Sequence, residues 1–229
     1  MNIRQRGSSW VVLPIMLATA GVAHANIIYT VNLDTNAING VPGYALAFQL
    51  NDGSGAGDNN NSVTLSNFSF GGGSAGGCPA NCTTTGGASG DIASAVTLSD
   101  SDFFNSFAER FTPGTGLSFK MDLTTNLDAG GTPDAFGFSI LDSTGTPLPT
   151  LDTSGADTLL SFNIDSENPT LTSFATVAES QVTLSAPTFA LAPPTPAPEP
   201  DSLLLMGAGL AALAGARRRM KSSGVTADA

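Results

Sequence analysis

The sequence predicts an all-β fold: an antiparallel β-sandwich or jelly roll with one short helix, an N-terminal signal peptide and a C-terminal transmembrane helix. Three observations carry this reading. Apolar and polar residues alternate through a series of short runs. Those runs end on Asp, Asn, Ser or Thr. The two ends of the 229-residue chain are built differently from its middle.

The N-terminal 25 residues have the pattern of a secretory signal peptide. Arg4 and Arg6 supply a positive start, Trp10 to Ala20 is an apolar stretch broken by Pro14 and Thr19, and Ala23 and Ala25 put small residues at the two positions a signal peptidase reads. The Sec translocon and signal peptidase are the partners this implies, with Asn26 as the new N-terminus. Arg4 and Arg6 are not adjacent, so a twin-arginine signal is not supported.

Residues 26–190 are long enough to bury a real core as one domain. Leu46, Phe48 and Leu50 alternate with polar or small residues, as do Leu117, Phe119, Met121 and Leu123. Phe136, Phe138 and Ile140 follow the same rule, and so do Leu160, Phe162 and Ile164, then Val182 and Leu184. A period of two gives strands with one dry and one wet face, which suits antiparallel sheets. Leu33-Asp34-Thr35, Leu141-Asp142-Ser143, Leu151-Asp152-Thr153 and Ile164-Asp165-Ser166 end such runs with side chains that bond their own backbone and start turns. Eight to ten short strands are expected. One stretch breaks the pattern. Phe103, Phe107 and Phe111 lie four apart, with Ser101 or Asp102 before them and Pro113-Gly114 after, which predicts a short helix plugging one end of the sandwich.

Residues 191–201 form a proline-rich linker, with prolines at 193, 194, 196, 198 and 200 separating the C-terminal end of the chain from the body. Ser202 to Ala216 is uncharged, and as a helix would reach about 22 Å, against roughly 30 Å of hydrocarbon; local thinning and flanking side chains close such a gap. Arg217, Arg218, Arg219 and Lys221 then form a basic stop cluster in the tail 217–229. Basic residues beside a spanning segment stay in the cytoplasm, which places the body outside the inner membrane.

Composition excludes several chemistries. Between the two signals, sixteen acids face only Arg110 and Lys120, and a surface so negative repels a nucleic-acid backbone. The chain's single histidine, His24, lies in the signal peptide, so the body cannot supply Ser-His-Asp or Cys-His nucleophile systems or a histidine metal ligand. Glycoside hydrolysis needs two carboxylates at a defined separation, and no local motif singles out a pair. The chain is therefore expected not to be an enzyme.

Cys78 and Cys82 stand as Cys-Pro-Ala-Asn-Cys, for which a disulfide is the default in an exported protein. Zinc would need two more nitrogen or sulfur ligands, and a redox pair usually has two intervening residues rather than three. The loop Asn51 to Asn61, NDGSGAGDNNN, offers Asp52 and Asp58 as candidate calcium ligands. Asp128 and Asp134 in DAGGTPD form a second candidate pair. Neither loop has the acid spacing of an EF-hand, and a solvated Gly- and Asn-rich turn is the competing reading for both. Any calcium is expected to be structural, and no other cofactor is expected.

Pro198, Glu199 and Pro200, followed by an apolar helix and an arginine cluster, resemble the PEP-CTERM sorting signal of Gram-negative bacteria. The resemblance covers about the last 30 residues, and the chain continues past the basic cluster further than most such signals do. It implies recognition at Pro198, Glu199 and Pro200 by exosortase, transient anchoring in the inner membrane, and delivery to the cell surface or an extracellular polysaccharide matrix. The body is also similar to uncharacterised PEP-CTERM proteins that carry NFxFGGGS (here beginning at Asn67) and DAGGTPDxFxFxILD (here Asp128 to Asp142). The expected function is that of a surface or matrix protein, structural or adhesive. A calcium-assisted exopolysaccharide-binding module and a polysaccharide hydrolase are the alternatives.

Overall fold

The structure, a computed structural model, describes residues 26–53, 57–127, 131–178 and 182–193. The signal peptide with Ala23 and Ala25, most of the linker with Pro198, Glu199 and Pro200, the apolar segment 202–216 and the cluster Arg217, Arg218, Arg219 and Lys221 lie outside the described residues, as does Asp128. Among the described residues no helix is long and apolar enough to cross a membrane. The chain's internal contacts divide it after Leu191.

Thirteen strands follow one another, interrupted only by a one-turn 3-10 helix at Asn36–Ile38 among the described residues. They are β1 (Ile27–Asp34), β2 (Ala45–Asn51), β3 (Ser62–Ser69), the two-residue β4 (Ser74–Ala75), β5 (Cys82–Thr85), β6 (Gly87–Asp91) and β7 (Ala95–Ser99). Then come β8 (Phe104–Thr112), β9 (Gly116–Leu123), β10 (Asp134–Leu141), β11 (Leu160–Ile164), the short β12 (Thr172–Ser173) and β13 (Thr188–Leu191). One sheet runs β13-β1-β9-β3-β7-β6, and the other β12-β11-β10-β2-β8-β4 with β5 also paired to β8. Every strand pairing is antiparallel.

The predicted alternation sets the packing. β9 buries Leu117, Phe119, Met121 and Leu123 and turns Lys120 outward. β2 buries Leu46, Phe48 and Leu50, and β10 buries Phe136, Phe138 and Ile140. These faces merge into one core between the two sheets. Phe48 sits at its centre. Its ring stacks on Phe138 of its own sheet at 5.1 Å and meets Phe119 and Phe68 of the opposite sheet at 5.7 and 6.1 Å. Offset and edge-on arrangements of this kind add about 0.5–1.5 kcal/mol per pair beyond burial alone.

The turns use the side chains the sequence marked. Asp34 Oδ1 accepts the Asn36 N–H, Asp142 Oδ1 accepts the N–H groups of Thr144 and Thr146, and Asp152 Oδ1 accepts the Ser154 N–H. The hydrogen bond from the Thr144 hydroxyl, with those from the backbone, holds the Asp142 carboxyl below its ordinary range.

The predicted helix at Phe103 to Phe111 is a strand instead. β8 runs through this stretch, pairing with β2 on one side from Asn51↔Phe104 to Ala45↔Arg110 and with β5 and β4 on the other. A spacing of four is even, so it satisfies a period of two as well as a helical turn. Phe107 and Phe111 are buried on the core face, whereas Phe103 precedes the strand and is 63 % exposed. The other core-facing positions of β8 are Asn105 and Glu109, both fully buried. Two polar residues on the dry face hid the alternation.

Truncating the central ring tests this packing. Phe48→Ala is expected to cost about 3–5 kcal/mol, a large part of the 5–15 kcal/mol typical of a domain. It should appear in urea denaturation as a lower midpoint with little change in slope.

Candidate functional site

Three loops meet at one end of the sandwich. The β2–β3 loop (52–61), the β7–β8 loop (100–103) and the β9–β10 loop (124–133) leave the strands where Asn51 pairs with Ala135 and Phe104, and where Val63 pairs with Leu123 and Leu98. Glycines let the first loop close onto the others. A Cβ on Gly53 would lie 2.1 Å from the Thr132 carbonyl oxygen. One on Gly57, whose φ of +66° is in the left-handed region, would lie 2.3 Å from that of Ser101.

Within this end lies a buried polar group made of Asp52, Asn61, Asp100 and Asp134, each at most 3 % exposed. Asn61 is its hub. Its backbone N–H donates to Asp100 Oδ2 at 2.8 Å, and its carbonyl accepts the Asp100 N–H at 3.2 Å. Its side-chain Nδ2 reaches Asp134 Oδ2 and the Asn126 carbonyl, both at 2.8 Å, and Asn60 Oδ1 at 2.6 Å. Its Oδ1 accepts from the Asn126 N–H at 2.8 Å and the Thr124 hydroxyl at 3.2 Å.

The carboxylates are served unevenly. Asp134 Oδ1 accepts the Gly53 N–H at 2.9 Å, so both of its oxygens have N–H donors. Asp52 Oδ2 accepts the N–H groups of Gly57 and Asp58. Asp100 Oδ1 is buried and has no hydrogen-bond donor. Burial pushes the Asp100 carboxyl up to about 7; the Asn61 N–H opposes that rise, and the neighbouring carboxyls of Asp134 and Asp58 add to it.

Of the candidate calcium ligands, Asp52 and Asp134 converge here, bridged by Gly53. Asp58 lies at the rim, exposed, with its carboxylate turned to the N–H groups of Asn60. The sequence did not single out Asp100, Asn61 or Asn126. Asp100 lies 39 residues from Asn61, and Asn61 lies 73 from Asp134, so only the folded register joins them.

Among the described residues, three metal-ligating side chains come within 4.8 Å of one another at Cys78, Asp91 and Glu109. The sulfur is not free to ligate. Cys78 is joined to Cys82 in a disulfide. Glu109 accepts the N–H groups of Gly77 and Ile92, and Asp91 those of Cys78 and Ala93. Glu109 therefore works as a buried clamp fastening the cysteine loop to β8. At the opposite end of the sandwich a groove of about 480 Å³ lies beside Asn32, Asp34, Ser69, Thr115 and Thr188. Among the described residues its lining includes Asp34, whose carboxylate caps a turn.

Residues 196–219 match the PEP-CTERM protein-sorting motif. That motif implies exosortase as a processing partner, with export and sorting to the cell surface. No curated protein and no solved structure matches the chain.

Asn61→Ala is expected to lower stability by about 2–4 kcal/mol, because its loss strands polar partners on three loops; chemical denaturation measures it. Glu109 gives a pH signature. Burial holds its carboxyl above the ordinary 4.5, so the folded state keeps a proton that the unfolded chain releases. Its contribution to stability therefore falls as pH rises from 4.5 through the raised value. In Glu109→Gln that slope should vanish, so the stability difference between variant and parent shifts in the variant's favour across this window and is flat above it.

Proposed function

We propose that the body is a structural or adhesive component of the cell surface or of an extracellular polysaccharide matrix, exported through Sec and processed by exosortase. The observation that carries this reading is the sorting motif at residues 196–219. The body's chemistry supports it. Residues 26–193 contain no histidine, and the fold invests its sequence in a two-sheet core. Arg217, Arg218, Arg219 and Lys221 would hold the C-terminus on the cytoplasmic side until cleavage.

In cells with an active exosortase, the parent chain should reach the surface or matrix fraction as a shortened form. Glu199→Ala should leave the longer precursor in the inner-membrane fraction. Immunoblots of the fractions, repeated in cells lacking the exosortase, read this directly. Recovery of the unprocessed parent chain from cytosol would overturn the reading. A structural or adhesive protein should also sediment with envelope or matrix material and release no reducing ends from it.

A further inference from the structure

We propose that the Asp100–Asp134 carboxyl pair, at the loop end of the sandwich, is a calcium-binding centre that ties the two sheets together. The inference starts from one atom. Asp100 Oδ1 is buried in a residue with no exposed surface and receives no hydrogen bond. Its carboxyl faces that of Asp134, which is itself only 2 % exposed. A buried carboxylate oxygen left without a donor is unfavourable unless a proton or a cation completes it.

The surroundings decide between those two. Three of the pair's four oxygens already accept N–H groups, from Asn61 N, Asn61 Nδ2 and Gly53 N, so Asp100 Oδ1 is the one left to complete. A shared proton would neutralise one charge and leave the other buried, with the Asp58 carboxylate near Asp100. A divalent ion neutralises both. Asn61 Nδ2, which donates to Asp134, also donates to the Asn126 carbonyl and to Asn60 Oδ1, so oxygens surround the pair on this side. Uncharged carbonyl and amide oxygens beside two carboxylates are the hard, mixed donor set calcium takes, with water completing six to eight ligands. Among the described residues no histidine nitrogen or cysteine sulfur joins the pair to favour zinc or copper. Among the described residues no third acid closes to ligand distance of both carboxyls, so the centre is a two-carboxylate site, and its affinity should be in the weaker, extracellular range.

The placement gives the ion a mechanical role. Asp100 follows β7 of one sheet, and Asp134 opens β10 of the other. An ion between them links the sheets where the aromatic core gives way to loops.

The test uses the full chain in mild detergent, stripped with a chelator, and calcium alone as the probe. Calorimetric titration should show saturable binding with a dissociation constant on the order of 10⁻⁴ M. At ten times that concentration calcium should raise the thermal midpoint by a few degrees, reversibly with chelator. Asp100→Asn keeps the oxygen that accepts the Asn61 N–H and gives its new amide to Asp134. It should fold, raise the metal-free midpoint and weaken calcium binding at least about tenfold. Glu109→Gln, remote from the pair, should bind calcium like the parent. Should the parent chain show neither heat of binding nor a midpoint shift, the pair shares a proton and the proposal is wrong. Calcium binding that survives Asp100→Asn unchanged would equally overturn it. If Asp100→Asn does not fold, the titration of the parent chain still decides. Neither result bears on export or cleavage, so this inference stands or falls apart from the sorting reading.

Discussion

The dry seam between the two sheets is the constraint on which the rest depends. Phe48 touches Phe138 beside it and Phe119 and Phe68 across from it, and this cross-sheet contact fixes which face of every neighbouring strand must be apolar. Because side chains alternate strictly along a strand, one slipped residue would send Leu46, Phe48 and Leu50 to solvent together. Register is thereby fixed across β2, β8 and β10, and it is register that delivers Asp100, Asn61 and Asp134 to the same end.

Where the core was purely apolar, the sequence was easy to read. The alternating runs at Leu117 to Leu123 and Phe136 to Ile140 are β9 and β10, and the Asp-centred stops at Asp34, Asp142 and Asp152 are side-chain-capped turns. Where polar side chains enter the core, the reading fails. Asn105 and Glu109 occupy buried positions of β8, so only the phenylalanines remained visible, at a spacing helices and strands share. Asn105 is accommodated because its amide donates to the Leu50 and Asp102 carbonyls and its oxygen accepts the Gly87 N–H. No local rule could foresee the partners on β2 and β6.

The loop end shows the same division. Oxygen-rich composition marked Asp52 and Asp134 from sequence alone, because hard ligands and turn formers are the same residue types. That ambiguity is intrinsic: the Gly and Asn residues that suggest a floppy turn are those that let a loop fold tightly against its neighbours. Gly53 and Gly57 are such cases, each approached by backbone so closely that a side chain would not fit. Asp100 carried no local signal. Its importance comes from burial and from what faces it, both properties of the assembled fold.

The route by which the chain leaves the sandwich has a bearing on its use. β13 is an edge strand of four exposed residues, and its last, Leu191, pairs with Tyr29 two positions from the Ile27↔Leu123 pair that borders the acidic loops. Any load drawn through the C-terminal segment enters the domain beside its carboxylate-rich pole, and it meets first a strand held by only four residue pairs. Under tension that strand, with its four pairs, would peel before the eight-pair β1–β9 ladder beside it opens, and the remaining sheet would stay shut.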